Sequence, residues 1–224
     1  MKRKKHKSKP KSTLGQIWYF IWEDNSIWSW LVNIVLAFII IKFLVYPGLG
    51  LVLGGTSHPV VAVVSGSMEH KTAGSQGSYS LCNATYTQRH HVDFDEWWET
   101  CGYFYDDYNI TKNDFLGYPF RNGFNKGDII VLYGSDPEDM KIGDVTVYKS
   151  DMPDPIIHRV VKKWQDDDGL HFQTKGDHNQ GSNYNEKDIQ KDKLIGKAVF
   201  RIPYLGWIKI IFVETLKMIV VIFT

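Results

Sequence analysis

Cysteine is nearly absent from this chain: two residues, Cys82 and Cys101, in 224. One internal disulfide is therefore the most that the sequence allows, and it would form in an oxidising compartment. Net charge is almost absent too, at +1, but that sum hides an asymmetry. The first eleven residues hold seven basic groups (Lys2, Arg3, Lys4, Lys5, Lys7, Lys9 and Lys11), which leaves 19 basic against 25 acidic groups in the remainder. An acidic body argues against a phosphate-binding surface, and so against nucleic acid as a partner. A small-residue cleavage site is also missing close behind the first hydrophobic segment, which argues against a cleaved secretory leader. Long helical patterns are missing between the apolar runs after residue 60, which argues for a mostly-β body.

What is present first is a long apolar run. "IWSWLVNIVLAFIIIKFLV", Ile27 to Val45, carries Lys42 as its one charge. Roughly 20 helical residues at about 1.5 Å each cross a hydrocarbon core of about 30 Å. Lys42 lies near the far end, where its stem can snorkel to the headgroups. Trp18, Trp22, Trp28 and Trp30 gather at the near end, as an aromatic belt would. The expectation is a transmembrane helix over 27–48, preceded by a basic tail and an interfacial segment over 1–26. With the lysines on the near side, the N-terminus is expected in the cytoplasm and the rest outside. The glycosylation acceptor patterns "NAT" at Asn83 and "NIT" at Asn109 agree with that placement.

Short β-type runs follow: 60–64, 128–134, 144–150, 155–164, 170–175 and 194–202. Two echo each other, "NKGDIIVLY" and "KIGDVTVYK", with Asp128 and Asp144 read as turn residues. Residues 69–125 break the rhythm. They carry eight acidic and four basic groups, many aromatics, both cysteines and both acceptor patterns. They read as an insertion with a small core of its own, stapled by Cys82 and Cys101. His90 and His91, with Asp93 and Asp95 nearby, read as solvated groups, and no metal is expected. The last segment, 204–224, is apolar but broken by Lys209, Glu214 and Lys217, and reads as a second span or an interfacial helix.

The chemistry gathers at "VVAVVSGSMEH", residues 60–70, where a β-branched run stops at two small hydroxyls. A serine hydroxyl is a weak nucleophile until a base takes its proton. His158, inside the β-type run "PIIHRVV", is the histidine placed for that work. Strand alternation puts Ile156, His158 and Val160 on one face, which leads the imidazole into a protected site. A third group should orient it. "TKGDHN" offers Asp177, and the same loop runs on to Glu186 and Asp188. Spacing alone prefers none of the three.

The ordered set "VVSGSMEH", "NKGDIIVLY", "IGDVTVYK", "IIHRVV", "TKGDHN" and "IGKAVFRIPYLGW" resembles signal peptidase I, of the archaeal and endoplasmic-reticulum type. The resemblance covers about residues 27–68 and 124–208. It implies a compact β catalytic domain over 56–203, with 69–125 inserted in it. It implies Ser67 as nucleophile, His158 as general base, and an oxyanion site from the Ser67 N–H and the Ser65 hydroxyl. Asp177 fills the family's Gly-Asp motif and is the expected triad acid, with Asp188 as the alternative. The family's usual second aspartate is replaced here by Asn183, and its usual proline after "SME" by His70. The implied partners are signal peptides of secretory precursors, membrane lipids and the translocation machinery. No cofactor is implied. A rival expectation is a non-catalytic binding module that presents the aromatic insertion.

Overall fold

The structure is a computed structural model and describes residues 10–75, 77–90 and 92–223. The basic stretch 1–9 and His91 lie outside the described residues. The chain divides into two units, 1–49 and 50–224.

In the first unit, helix α1 (Thr13–Trp22) starts where the Ser12 hydroxyl accepts the Gly15 N–H at 3.2 Å. The polar "EDNS" then breaks the backbone. Asp24 accepts the Ser26 N–H at 2.9 Å, and Ser26 in turn caps helix α2 (Ile27–Ile40) through the Ser29 N–H at 3.2 Å. These side chains satisfy the N–H groups that a helix start leaves unpaired. The Ser29 hydroxyl donates to the Phe20 carbonyl, and Asn33 Nδ2 donates to the Ile21 carbonyl at 2.8 Å, so α1 is tied back against α2. The helix continues through a π-type turn (Ile41–Val45) into α3 (Tyr46–Val52). Among the described residues, Ile27–Val52 is the one helix long and apolar enough to cross a membrane.

The second unit is antiparallel sheet. In chain order its strands begin with β1 (Val60–Ala62), β2 (Ala73–Ser75), β3 (Ser78–Leu81), β4 (Ala84–Tyr86) and β5 (Ile129–Tyr133). They continue with β6 (Val145–Tyr148), β7 (Ile156–Asp166), β8 (Gly169–Lys175), β9 (Ile189–Gln190) and β10 (Leu194–Ile202). Seven strands form one sheet in the order β1-β5-β10-β6-β7-β8-β9. A three-stranded sheet, β2-β3-β4, belongs to the insertion with helices α4 (Phe94–Cys101) and α5 (Lys112–Leu116). The body is thus mixed rather than mostly β, with helices in the insertion and a C-terminal helix α6 (Trp207–Phe223). The expectation missed the insertion's helices because period-2 apolar runs dominate the rest of the body.

The six β-type runs fold as strands within a few residues of their expected limits. Burial alternates along β5, whereas all of β6 is buried because both of its faces are covered. Val63, Met68, Phe124, Ile130, Leu132, Val145, Val147 and Ala198 form one core beneath the sheet. The two echoed turns work as their glycines require. Gly127 and Gly143 take φ of 91° and 94°, a region open to glycine. Asp128 and Asp144 then accept the N–H three residues earlier, from Asn125 and Lys141, both at 2.9 Å.

β7 is the strand on which the site depends, because its two faces meet different cores. Ile156 and Val160 face Met140, Tyr148, Leu170, Phe172 and Ile189. Val161, on the opposite face, joins Leu81, Val92, Trp97, Cys101, Tyr105, Ile110 and Phe115 of the insertion. The insertion therefore has its own core but shares a strand with the body. Cys82 and Cys101 are joined in a disulfide that ties the β3–β4 turn to the end of α4.

Candidate active site

Ser67 sits just past β1. The chain stays extended there because the Val63 N–H donates to the Asp128 carbonyl and Gly127 N–H to the Val63 carbonyl, both at 2.9 Å. It then turns at Gly66, whose carbonyl accepts the Glu69 N–H at 3.0 Å. Met68, 1% exposed, plugs into the sheet core and fixes the turn from below. Its carbonyl accepts the Phe124 N–H at 3.0 Å. The nucleophile candidate thus follows a strand end and precedes a buried anchor.

His158 lies on β7, opposite Thr146 of β6, and is buried. Its Nε2 is 2.8 Å from Ser67 Oγ. Its Nδ1 meets the Glu186 carboxylate. Glu186 is fully buried and closes a single turn of tight helix, Tyr184–Glu186. Its other oxygen accepts the Asn183 N–H at 2.8 Å. A short chain of contacts therefore runs from hydroxyl to imidazole to carboxylate. Such a chain can move the hydroxyl proton to Nε2 while the carboxylate holds Nδ1–H in place. Ser65 Oγ lies 3.2 Å from Ser67 Oγ, on the exposed side.

The loop after β8 presses against this arrangement from the other side. The His178 N–H donates to the Ser67 carbonyl at 2.8 Å, and the Asp177 N–H approaches Met68 Sδ at 3.4 Å. A Cβ on Gly176 would lie 2.8 Å from the Ser67 carbonyl and 2.9 Å from His158 Nε2. Only glycine allows so close an approach.

The expected third members lie elsewhere. Asp177 is fully buried and meets Arg159, not His158. It accepts from Arg159 Nε at 2.9 Å and Nη2 at 2.7 Å, from the Tyr105 hydroxyl at 2.7 Å, and pairs with His70 Nε2 at 3.0 Å. Burial alone would raise its pKa, but the Arg159 charge and these hydrogen bonds outweigh burial and hold it well below the usual carboxylate range. Asp188 is exposed and pairs with His171 Nδ1 at 2.6 Å. The position beside His158 belongs to Glu186 instead, a correction to both expectations. Asp177 is the obvious reading of a Gly-Asp motif, yet its side chain turns into the core toward a guanidinium. The signal for Glu186 was the N-x-x-E pattern at 183–186, a one-turn cap that brings the carboxylate inward.

Two further buried cations surround the pair. Arg159 donates Nη1 to the Pro119 and Gly143 carbonyls, both at 2.8 Å, and Nη2 to the Phe120 carbonyl at 2.9 Å. Lys175 Nζ donates to the Gly176 carbonyl at 3.0 Å and lies 4.1 Å from the centre of the Tyr105 ring. Burial pulls Lys175 down to about 7. His90 pairs with Glu96 at 3.1 Å, and no cluster of three or more metal-type ligands occurs among the described residues.

The comparisons with known proteins point one way. The chain is 34% identical over 95 residues to "Signal peptidase complex catalytic subunit SEC11C" of Homo sapiens, covering 39% of this chain and 50% of that protein. It is 34% identical over 99 residues to "Signal peptidase complex catalytic subunit SEC11" of Colletotrichum graminicola, covering 41% of this chain and 57% of that protein. It is 35% identical over 98 residues to the SEC11 subunit of Scheffersomyces stipitis, covering 41% and 58%. The chain thus spans about half the length of the curated relatives it matches. No family model matches it. Over this stretch the chain is similar to catalytic subunits of the signal peptidase complex, the family that the order of its motifs resembles.

Proposed function

We propose that the chain is a membrane-anchored serine endopeptidase that removes N-terminal signal peptides from secretory precursors through an acyl-enzyme. The observation that carries this reading is the contact chain Ser67–His158–Glu186. His158 Nε2 takes the Ser67 proton as Oγ attacks the scissile carbonyl. The tetrahedral oxygen receives hydrogen bonds from the Ser67 N–H and the Ser65 hydroxyl. The bond to the leaving amine then breaks, with the proton passing from Nε2 to the amine nitrogen. Water attacks the acyl ester, again deprotonated by His158, and Ser67 is released. Glu186 keeps Nδ1–H oriented and stabilises the imidazolium in both halves.

Topology supports the same reading. A helix that can cross a bilayer ends at Val52, fifteen residues before Ser67. A precursor presents an apolar helix in the membrane and a short extended segment just outside it. A nucleophile held close behind an anchor meets that segment without drawing the helix from lipid. The basic residues before the anchor put the N-terminus in the cytoplasm and the peptidase unit outside. Exposed Asn83 and Asn109 and the formed disulfide suit an oxidising, glycosylating side. The catalytic domain spans about 56–203, and the relatives' names, catalytic subunits of a complex, suggest partner subunits.

The binding-module reading rested on Asn183 in place of the usual aspartate. Glu186, three residues on, supplies a carboxylate to His158 and removes that support. The test is precursor processing by the full chain in lipid vesicles. The wild type should release mature protein, and Ser67→Ala should abolish release while keeping its fold by circular dichroism. Unchanged processing by Ser67→Ala would overturn the assignment.

A further inference from the structure

Residues 69–125 interrupt a peptidase core whose motifs read continuously on either side. An insertion that merely decorated a surface would bury its own side chains among themselves. This one reaches into the loop that frames the site. Tyr105, 0% exposed, aims its hydroxyl at Asp177 Oδ1 from 2.7 Å. His70 stacks on Trp97, with ring centres 3.7 Å apart and planes 4° from parallel, and points Nε2 at Asp177 Oδ2 from 3.0 Å. Phe115 lies under the Arg159 guanidinium, 4.5 Å from ring centre to Cζ, and Pro119 and Phe120 give it their carbonyls. Five residues of the insertion thus hold one ion pair, Arg159–Asp177.

That pair is bonded on both sides to reacting groups. Arg159 follows His158 in β7. Asp177 lies between Gly176, where an added Cβ would collide with the Ser67 carbonyl and His158 Nε2, and His178, whose N–H holds the Ser67 carbonyl at 2.8 Å. A shift of the Asp177 carboxylate would therefore move both the imidazole and the nucleophile. A buried ion pair keeps one geometry only when its remaining lone pairs are satisfied. Arg159 fills two acceptor positions on Asp177, and the insertion fills two more.

We infer that the insertion is a positioning element for catalysis, acting through Tyr105 and His70 on the Asp177–Arg159 pair and thereby on Ser67 and His158. Both residues bond Asp177 rather than Ser67, His158 or Glu186, so both are positioning residues. The position after "SME" is where the chain departs from its family, and a histidine there gives the insertion its second hydrogen bond.

This inference rests on the peptidase reading, and its test separates the two. The full-length wild type and Tyr105→Phe would be assayed in detergent micelles for precursor cleavage, with active sites counted by a serine-directed acylating probe. Tyr105→Phe removes one oxygen and keeps the ring. The expected result is kcat per titrated site lowered about 10-fold or more with KM unchanged, as misplacement of a reacting group costs. His70→Ala should do the same, and His70→Gln, which retains an N–H donor, should recover most of the loss. A merely structural role would lower the number of titrated sites and leave kcat per site at the wild-type value, which would overturn the inference. A wild type that neither cleaves nor titrates would instead sink the peptidase reading, and this inference with it.

Discussion

At the scale of single residues, two carboxylates that look alike in sequence do opposite work. Glu186 faces the imidazole and Asp177 faces a guanidinium. Glu186→Gln should therefore lower kcat by about 10²–10⁴-fold with little loss of stability, because the imidazole loses its oriented partner. Asp177→Asn should lower unfolding free energy by about 3–5 kcal/mol in a denaturant titration, because it leaves Arg159 buried without its counter-charge. The reverse pattern, stability lost at 186 and rate alone lost at 177, would contradict the assignment. His70 adds a pH dependence. Burial lowers its pKa from 6.5, against the hydrogen bond and charge of Asp177 and with help from Arg159 and Lys175. The unfolded chain then binds a proton that the folded chain refuses, so stability falls as pH drops below about 6.5. The thermal midpoint should decline across that window in the wild type and decline less in His70→Gln. Ser67 and His158 were legible as residues, since a strand-end hydroxyl and a strand histidine are local features. Glu186 was one of three carboxylates that the loop offered and could not be singled out, because its place depends on the path of a loop that bends back through one helical turn.

At the scale of elements, strands were easier to read than helices. β5, β6, β7, β8 and β10 announce themselves by β-branched runs between Gly-Asp or Gly-rich turns. The insertion's helices are short, acidic and aromatic, and their apolar spacing is hidden among tryptophans. Their caps were nevertheless written in the sequence. Asp93 accepts the Glu96 N–H at 2.9 Å at the start of α4, and Thr111 accepts the Asp114 N–H at 3.3 Å at the start of α5. The single disulfide joins residues 19 apart. A loop of that length contributes about 3 kcal/mol by restricting the unfolded chain. Reduction of the native protein should lower its thermal midpoint, and kcat should fall with it if the insertion positions the site. Full activity in the reduced, folded protein would show that the β2–β4 sheet can detach without consequence.

At the scale of the whole molecule, the chain is an apolar helix followed by an acidic unit of mixed helix and strand. The expectation of a mostly-β body underweighted the helices of the insertion, α4 and α5. The long apolar helix was legible at once, because about 20 apolar residues in a row have few uses other than crossing a bilayer. A charge at its centre, Val35→Arg, costs about 2.5–3.5 kcal/mol on insertion scales. That variant should shift protein from the carbonate-resistant membrane fraction to the soluble one, and unchanged fractionation would argue against a spanning helix. The account as a whole depends on one event, activation of the Ser67 hydroxyl by His158. The most direct measurement is mass spectrometry of the full-length protein after reaction with a serine-directed acylating probe. The account predicts one adduct, located on Ser67 and lost in His158→Ala. An unmodified Ser67, or an adduct that forms at the wild-type rate without His158, would contradict it.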